Sequence, residues 1–145
     1  MAARSSSDEL FKRAAELRTE VYEPAHPAPD AERGLRGIGR LTGTWIACEE
    51  SGAAEGWLAS GVELVMDSRL DPGAAIGRHE HPDTEELYLV LAGELTVTAS
   101  PGGEDVAVET LAAGDVHRLP RGGWHAARAG SSGARILVVA ARVDG

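Results

Sequence analysis

Cysteine is almost missing from this chain. Cys48 is the only one in 145 residues, which excludes an internal disulfide and a cysteine-built zinc module. Lysine is as scarce, Lys12 standing alone beside arginines. No long apolar run is present: the longest, Ile136 to Ala141, falls far short of the roughly 18 residues of a membrane span. The opening MAARSSSDELFKRAAELR has no apolar stretch of the kind a secretory signal needs. Positive charge is also in deficit, 14 Lys plus Arg against 23 Asp plus Glu, a net charge of −9. Such a surface repels phosphate backbones and anionic lipid, so neither nucleic acid nor membrane is an expected partner. These absences describe a small cytoplasmic domain.

What is there suits a single core. The hydrophobic share is 43%, too high for wholesale disorder. Glycine (18) and proline (7) punctuate the chain into short pieces. The N-terminus offers one helical signal: Ser6 and Glu9 fit a capping box, and Leu10, Ala14, Leu17 and Val21 recur at helical spacing. The spacing predicts a short α-helix from about Ser7 to Glu20. EPAHPAPDAERG, residues 23 to 34, reads as an extended linker. The expected division is therefore residues 1–34, helix and linker, and residues 35–145, a β domain.

From Leu35 onward the pattern is one of short strands bounded by turn residues. LTGTWIA, Val62 to Leu70, Leu87 to Val97, Val106 to Leu111, Val116 to Leu119, Trp124 to Ala129 and Ile136 to Arg142 all have strand character. Ala92-Gly93-Glu94 reads as a hairpin turn. Without helical crossovers, this is the pattern of an antiparallel sandwich or barrel.

Two segments carry chemistry. In GAAIGRHEHPDTEELYLVLAG, residues 73 to 93, His79 and His81 leave the same face of a strand. Glu86, Tyr88 and Val90 share one face of the strand after the Pro82-Asp83 turn, so two imidazoles and a carboxylate can meet across one hairpin. That donor set suits a divalent transition metal. In GDVHRLPRGGWH, residues 114 to 125, His125 offers a third imidazole. Ala127 and Ala129 follow on its face, and their small side chains are expected to leave room beside a metal. Each signal taken singly has an ordinary structural reading: a surface His-x-His, a solvated strand end, a hydrogen-bonded histidine.

Together the two segments resemble the paired motifs of the cupin superfamily. The first, G-x(5)-H-x-H-x(3,4)-E-x(6)-G, is met by Gly73, His79, His81, Glu86 and Gly93. The second, G-x(5)-P-x-G-x(2)-H-x(3)-N, is met by Gly114, Pro120, Gly122 and His125, with Ala129 where relatives have asparagine. The resemblance implies an all-β double-stranded β-helix, the jelly-roll or cupin barrel, holding one metal through His79, His81, Glu86 and His125. Glu85 is a rival carboxylate, but the six residues before Gly93 favour Glu86.

Four protein ligands would leave positions open on an octahedral ion. Iron(II) is the expected metal, with manganese, nickel and zinc as alternatives. The implied activity is a mononuclear iron(II) oxygenase (dioxygenase) acting on dioxygen and a small organic metabolite. A non-oxidative isomerase, cyclase or decarboxylase, or a small-ligand sensor, are the alternatives. Tyr88 and His117 are the candidate catalytic side chains. Each also has a structural reading, Tyr88 as filling for the barrel and His117 as a packed strand residue. Arg78 and Trp124 are expected at the surface, Arg121 at a turn tip, and Cys48 buried. Trp45 and Trp57 are expected near the barrel mouth. His26 has no evident partner in the sequence. A homodimer is expected, with the apolar helical stripe seeking a cover.

Overall fold

The computed structural model describes residues 9–144. Among them, eight strands make an antiparallel barrel: β1 (Arg18–Tyr22), β2 (Leu41–Cys48), β3 (Val62–Leu70), β4 (Ala75–Glu80), β5 (Thr84–Ser100), β6 (Ala107–Ala112), β7 (Val116–Leu119) and β8 (Trp124–Arg142). The hydrogen-bonded order is β1-β2-β3-β8-β5-β6, with β4 also on β8 and β7 also on β5. This is the all-β double-stranded β-helix. No helix among the described residues is long and apolar enough to cross a membrane.

The two long strands organise everything else. β5 pairs with β8 over nearly its full length, from Thr84 opposite Arg142 to Ser100 opposite Trp124. Ala92-Gly93-Glu94 is therefore not a hairpin turn but a bend within β5, and Trp124–Ala129 and Ile136–Arg142 are two halves of one strand. Both bends fall at glycines with positive φ, Gly93 (76°) and Gly133 (79°). A Cβ on Gly93 would run into the Gly133 carbonyl, so the two strands turn the barrel corner together only where side chains are absent. Turn-forming residues in sequence mark a corner here, because the pairing partner continues on both sides.

The inward faces fill the barrel. Leu41, Leu64, Leu70, Ile76, Val90, Leu95, Val97, Ile136 and Val138 form one buried cluster, with Leu95 and Ile136 fully sequestered. Each such side chain contributes about 2 kcal/mol of burial free energy. Outward residues of the same strands, such as Leu87 and Leu91, are exposed, which is the period-2 alternation that the sequence predicts for β5.

The N-terminal helix is corrected. Ser6, Ser7 and the start of the expected helix lie outside the described residues. From Phe11 on, the chain makes only a 3-10 turn at Ala14–Glu16 before entering β1. Thr19, Val21 and Tyr22 favour extended backbone, and five residues of β1 pair with Tyr22-to-Leu41 through Arg18-to-Trp45 register on β2. That ladder outweighs the weak helical periodicity. Leu10 and Val21 are exposed, so the apolar stripe that would have asked for a partner is not formed.

Residues 23–34 carry no strand, as their prolines require, but they are tied to the barrel. The Gly77 N–H donates to Ala25 O (3.0 Å) and the Gly37 N–H to Pro27 O (3.0 Å). His26 and Ala28 have φ of 47° and 46°, a left-handed conformation that is uncommon for side-chain-bearing residues and clusters near functional sites. A Cβ on Gly77 would fall on the His26 carbonyl. Glycine at that position is what lets this strap lie down on β4.

Candidate metal centre

β4 presents His79, and His81 follows its last residue. The backbone of His81 is clamped to the Pro120–Gly123 turn by His81 N–H to Gly123 O (3.1 Å) and Gly122 N–H to His81 O (2.7 Å). β5 supplies Glu86 and β8 supplies His125. β4 and β5 do not pair with each other: β4 lies on the first half of β8 and the start of β5 on its last residues. His79 and His125 are cross-strand partners on β4 and β8 while Glu86 comes from β5, so the four side chains do not meet across one hairpin, which is what the sequence spacing predicts. One donor atom from each of His79, His81, Glu86 and His125 lies within 4.8 Å of all the others. Glu86 is buried while Glu85, its neighbour on the opposite face, is exposed.

The far nitrogen of each imidazole is anchored. His79 Nδ1–H donates to Gly77 O (2.7 Å); a carbonyl only accepts, so in the neutral ring Nε2 carries the free lone pair. His81 Nδ1 lies 3.1 Å from Thr84 Oγ1, and His125 Nδ1 lies 3.0 Å from His117 Nε2. All three rings thus turn Nε2 toward one point, the arrangement in which outer partners fix metal-binding histidines. His125 Nε2 is 3.0 Å from His79 Nε2 and 3.0 Å from Glu86 Oε1, and His81 Nε2 is 3.3 Å from the same oxygen. His81 Nε2 and Glu86 Oε1 are buried with no hydrogen-bond partner of adequate geometry. Converging lone pairs and an orphaned carboxylate oxygen are what a bound cation would satisfy. The residues fit the metal.

Electrostatics agree. Burial pushes His79 down to about 3, helped by the nearby His26 and His125 rings and opposed by its bond to Gly77. Neutral imidazole, the form that ligates, is thereby favoured. Burial works to raise Glu86, but its short contacts with the His125 and His81 imidazoles outweigh it and hold the carboxyl well below its ordinary range. Tyr88 is pushed well up, first by burial and then by the Glu86 carboxylate, so its hydroxyl keeps its proton.

A family model for the cupin domain matches residues 66–140. The chain belongs to the cupin family. Comparison with curated protein sequences finds none that matches. Among solved structures, a predicted oxalate decarboxylase from Thermotoga maritima is 20% identical, with a TM-score of 0.69 over 92% of this chain and 100% of that one. The manganese(II)-containing oxalate decarboxylase of Bacillus subtilis is 18% identical, with a TM-score of 0.63 over 88% of this chain and 28% of that one. A CENP-C domain from Drosophila melanogaster is 17% identical, with a TM-score of 0.61 over 98% of this chain and 85% of that one. At these identities the cupin fold is what is shared.

A cavity of about 360 Å³ opens beside the ligands. It does not lie against Ala127 and Ala129, as their size suggested: both are core residues, on the stretch of β8 after His125 that pairs with β4 on one side and β5 on the other. Its walls include Trp45, Leu64, Met66, Ser68, Tyr88 and Val138, with Glu50 and His26 also lining it. Tyr88 is 2% exposed, its hydroxyl 3.3 Å from His125 Nε2. His117 is not on this cavity. It stands on the far side of His125, and burial, followed by the electrostatic influence of the neighbouring His125 ring, pushes it down to about 4. Trp124 faces outward under the Arg78 guanidinium, 4.0 Å from the ring centre, and Cys48 is buried. Trp57 lies under Lys12, 4.3 Å from the ring centre.

His26 is the residue that sequence reasoning missed. Its ring stacks on His79 at 3.8 Å with planes 9° apart. The chain has five histidines, and all five are linked by ring contacts into one group: His26 on His79, His79 and His81 on each other and on His125, and His117 on His125. The usable signal was that scarcity, since a residue type used so sparingly and otherwise concentrated in the two motifs marks its remaining copy.

Proposed function

We propose that this cupin is a metal-dependent enzyme, a mononuclear iron(II) oxygenase acting on a small organic metabolite and dioxygen. The carrying observation is that three members of the cluster, His79, His81 and Glu86, stand on the wall of a cavity otherwise lined mainly by apolar side chains, with His125 joined to them behind. An iron(II) ion bound by His79, His81, Glu86 and His125 would supply the redox chemistry that dioxygen requires. The protein's part is to bind and orient. Leu64, Met66 and Val138 exclude water and pack an apolar substrate body, and Tyr88 holds a proton on its hydroxyl at the cavity's ligand end. His117 acts through His125, its Nε2 accepting a hydrogen bond from the Nδ1–H that must be present when Nε2 of His125 ligates.

The test compares metal forms. Turnover that needs iron(II) and oxygen, stops with zinc, and places labelled oxygen gas into product supports the oxygenase. Zinc has no redox chemistry, so anaerobic turnover by the zinc form would instead establish the second reading, a non-oxidative decarboxylase, isomerase or cyclase. That reading is favoured by the likeness in fold to oxalate decarboxylases. Tight binding of one small ligand without turnover in any metal form would support the sensor reading.

A further inference from the structure

Two side chains of the cavity wall carry a buried polar atom with no well-formed hydrogen bond among the described residues. Ser68, on β3, is 0% exposed and its Oγ makes no hydrogen bond. Trp45, on β2, likewise has a buried Nε1–H with no hydrogen bond of adequate geometry, the Tyr22 hydroxyl interacting with it only loosely. Both residues line the cavity beside the metal cluster, on strands that contribute no ligand. Register makes them diagonal neighbours: Trp45 stands opposite Met66 and Ser68 opposite Gly43. Gly43 has no side chain with which to answer the serine. A buried donor left unsatisfied carries a desolvation penalty that a ligand atom would relieve.

The chemistry of the pair selects what binds. Indole Nε1–H only donates, and a serine hydroxyl can donate beside it, so together they suit an acceptor atom. Charge selects further. Among the described residues no lysine or arginine lines the cavity, whereas Glu50 and Glu86 both do. A second carboxylate on a substrate would meet no cation away from the metal and would face Glu50. We propose that Trp45 Nε1 and Ser68 Oγ form a second half of the substrate site that takes an uncharged, carbonyl-type oxygen of a small organic molecule whose other end is held at the four-ligand cluster. Dicarboxylates are disfavoured. This rests on the metal-centre reading above and names the substrate class for it.

The experiment uses one chelating head with three tails. Catechol, 3,4-dihydroxyacetophenone and 3,4-dihydroxybenzoate are titrated calorimetrically into the full-length zinc-loaded protein and into the zinc-free protein. The acetyl compound should bind about tenfold more tightly than catechol, and the carboxylate compound no more tightly than catechol. Ser68→Ala and Trp45→Phe should each cut the acetyl gain below about threefold, and zinc uptake by the four-residue cluster, to which neither residue belongs, reports an intact fold. No gain from the acetyl group, a gain that survives both substitutions, or tightest binding by the carboxylate compound would each overturn the proposal. Zinc-dependent binding of catechol with no acetyl gain removes the subsite alone. Catechol binding that is indifferent to zinc removes the metal-centre reading as well.

Discussion

His26 lies flat on His79, ring centres 3.8 Å apart and planes 9° from parallel. The contact joins a residue of the proline-rich strap to a candidate metal ligand of β4, and it limits how the His79 ring can tilt about its bond to Gly77. His26→Ala should weaken zinc binding about threefold to tenfold, the range of an aromatic pair contact, as measured by competition with a chelator. His26→Phe keeps the stack and should recover most of that loss. Equal zinc affinity in wild type and His26→Ala would show that the stack does not position the ligand.

The four-ligand cluster makes a sharper demand. The protein should take up about one divalent metal per chain, and His79→Ala/His125→Ala should abolish uptake, since two of the four ligands go at once. Glu86→Gln should weaken binding, while Glu85→Gln should leave it within about twofold because Glu85 points to solvent. Metal analysis decides it. Full occupancy in the double histidine variant would remove the site, and equal loss from both glutamate changes would dissolve the distinction between them.

How far the sequence carried depends on what each feature needs. The four-residue cluster was legible because a metal-binding motif fixes residue types at fixed spacings, and period-2 alternation then placed Glu86 and Tyr88 inward. β1 was not, because four apolar residues at helical spacing look alike whether the chain coils or joins a ladder; only β2, some twenty residues on, decides. The corners at Gly93 and Gly133 mimic hairpin turns, since both need positive φ. His26 was hidden by distance: nothing near it in sequence names His79, and the two glycines that admit its strap, Gly37 and Gly77, lie in other segments.

His117 and His79 set a pH dependence. Both are held below the ordinary 6.5, at about 4 and about 3, chiefly by burial. Between those values and 6.5 the unfolded chain binds more protons than the folded one, so stability rises with pH there. The chelator-treated protein should therefore be fully stabilised by these groups above pH 6.5 and lose that contribution as pH falls toward 4. His117→Gln, which keeps an acceptor for His125 but cannot titrate, should flatten the fall in Tm between pH 7.5 and 5. The same substitution should retain zinc affinity better than His117→Ala, which loses about tenfold. An unchanged wild-type Tm across that range would contradict the assignment.

Gly77 ties these threads into one substitution. Its carbonyl accepts the hydrogen bond from His79 Nδ1–H, its N–H donates to Ala25 O, and the space where a Cβ would go is filled by the His26 carbonyl. Gly77→Ala must push the strap off β4 or strain it. The expected cost is about 2 kcal/mol, as for other overpacked buried positions, or about 6 °C in Tm for a domain of this size. Because the strap carries His26, zinc affinity should fall at least as far as in His26→Ala. Combining Gly77→Ala with His26→Ala should then cost no more zinc affinity than Gly77→Ala alone, since both act through one contact. Gly34→Ala, where no atom lies within 4 Å of the added methyl, serves as the control and should leave both readouts unchanged. If Gly77→Ala lowers Tm but leaves zinc affinity intact, the strap stabilises the barrel without holding the metal ligand.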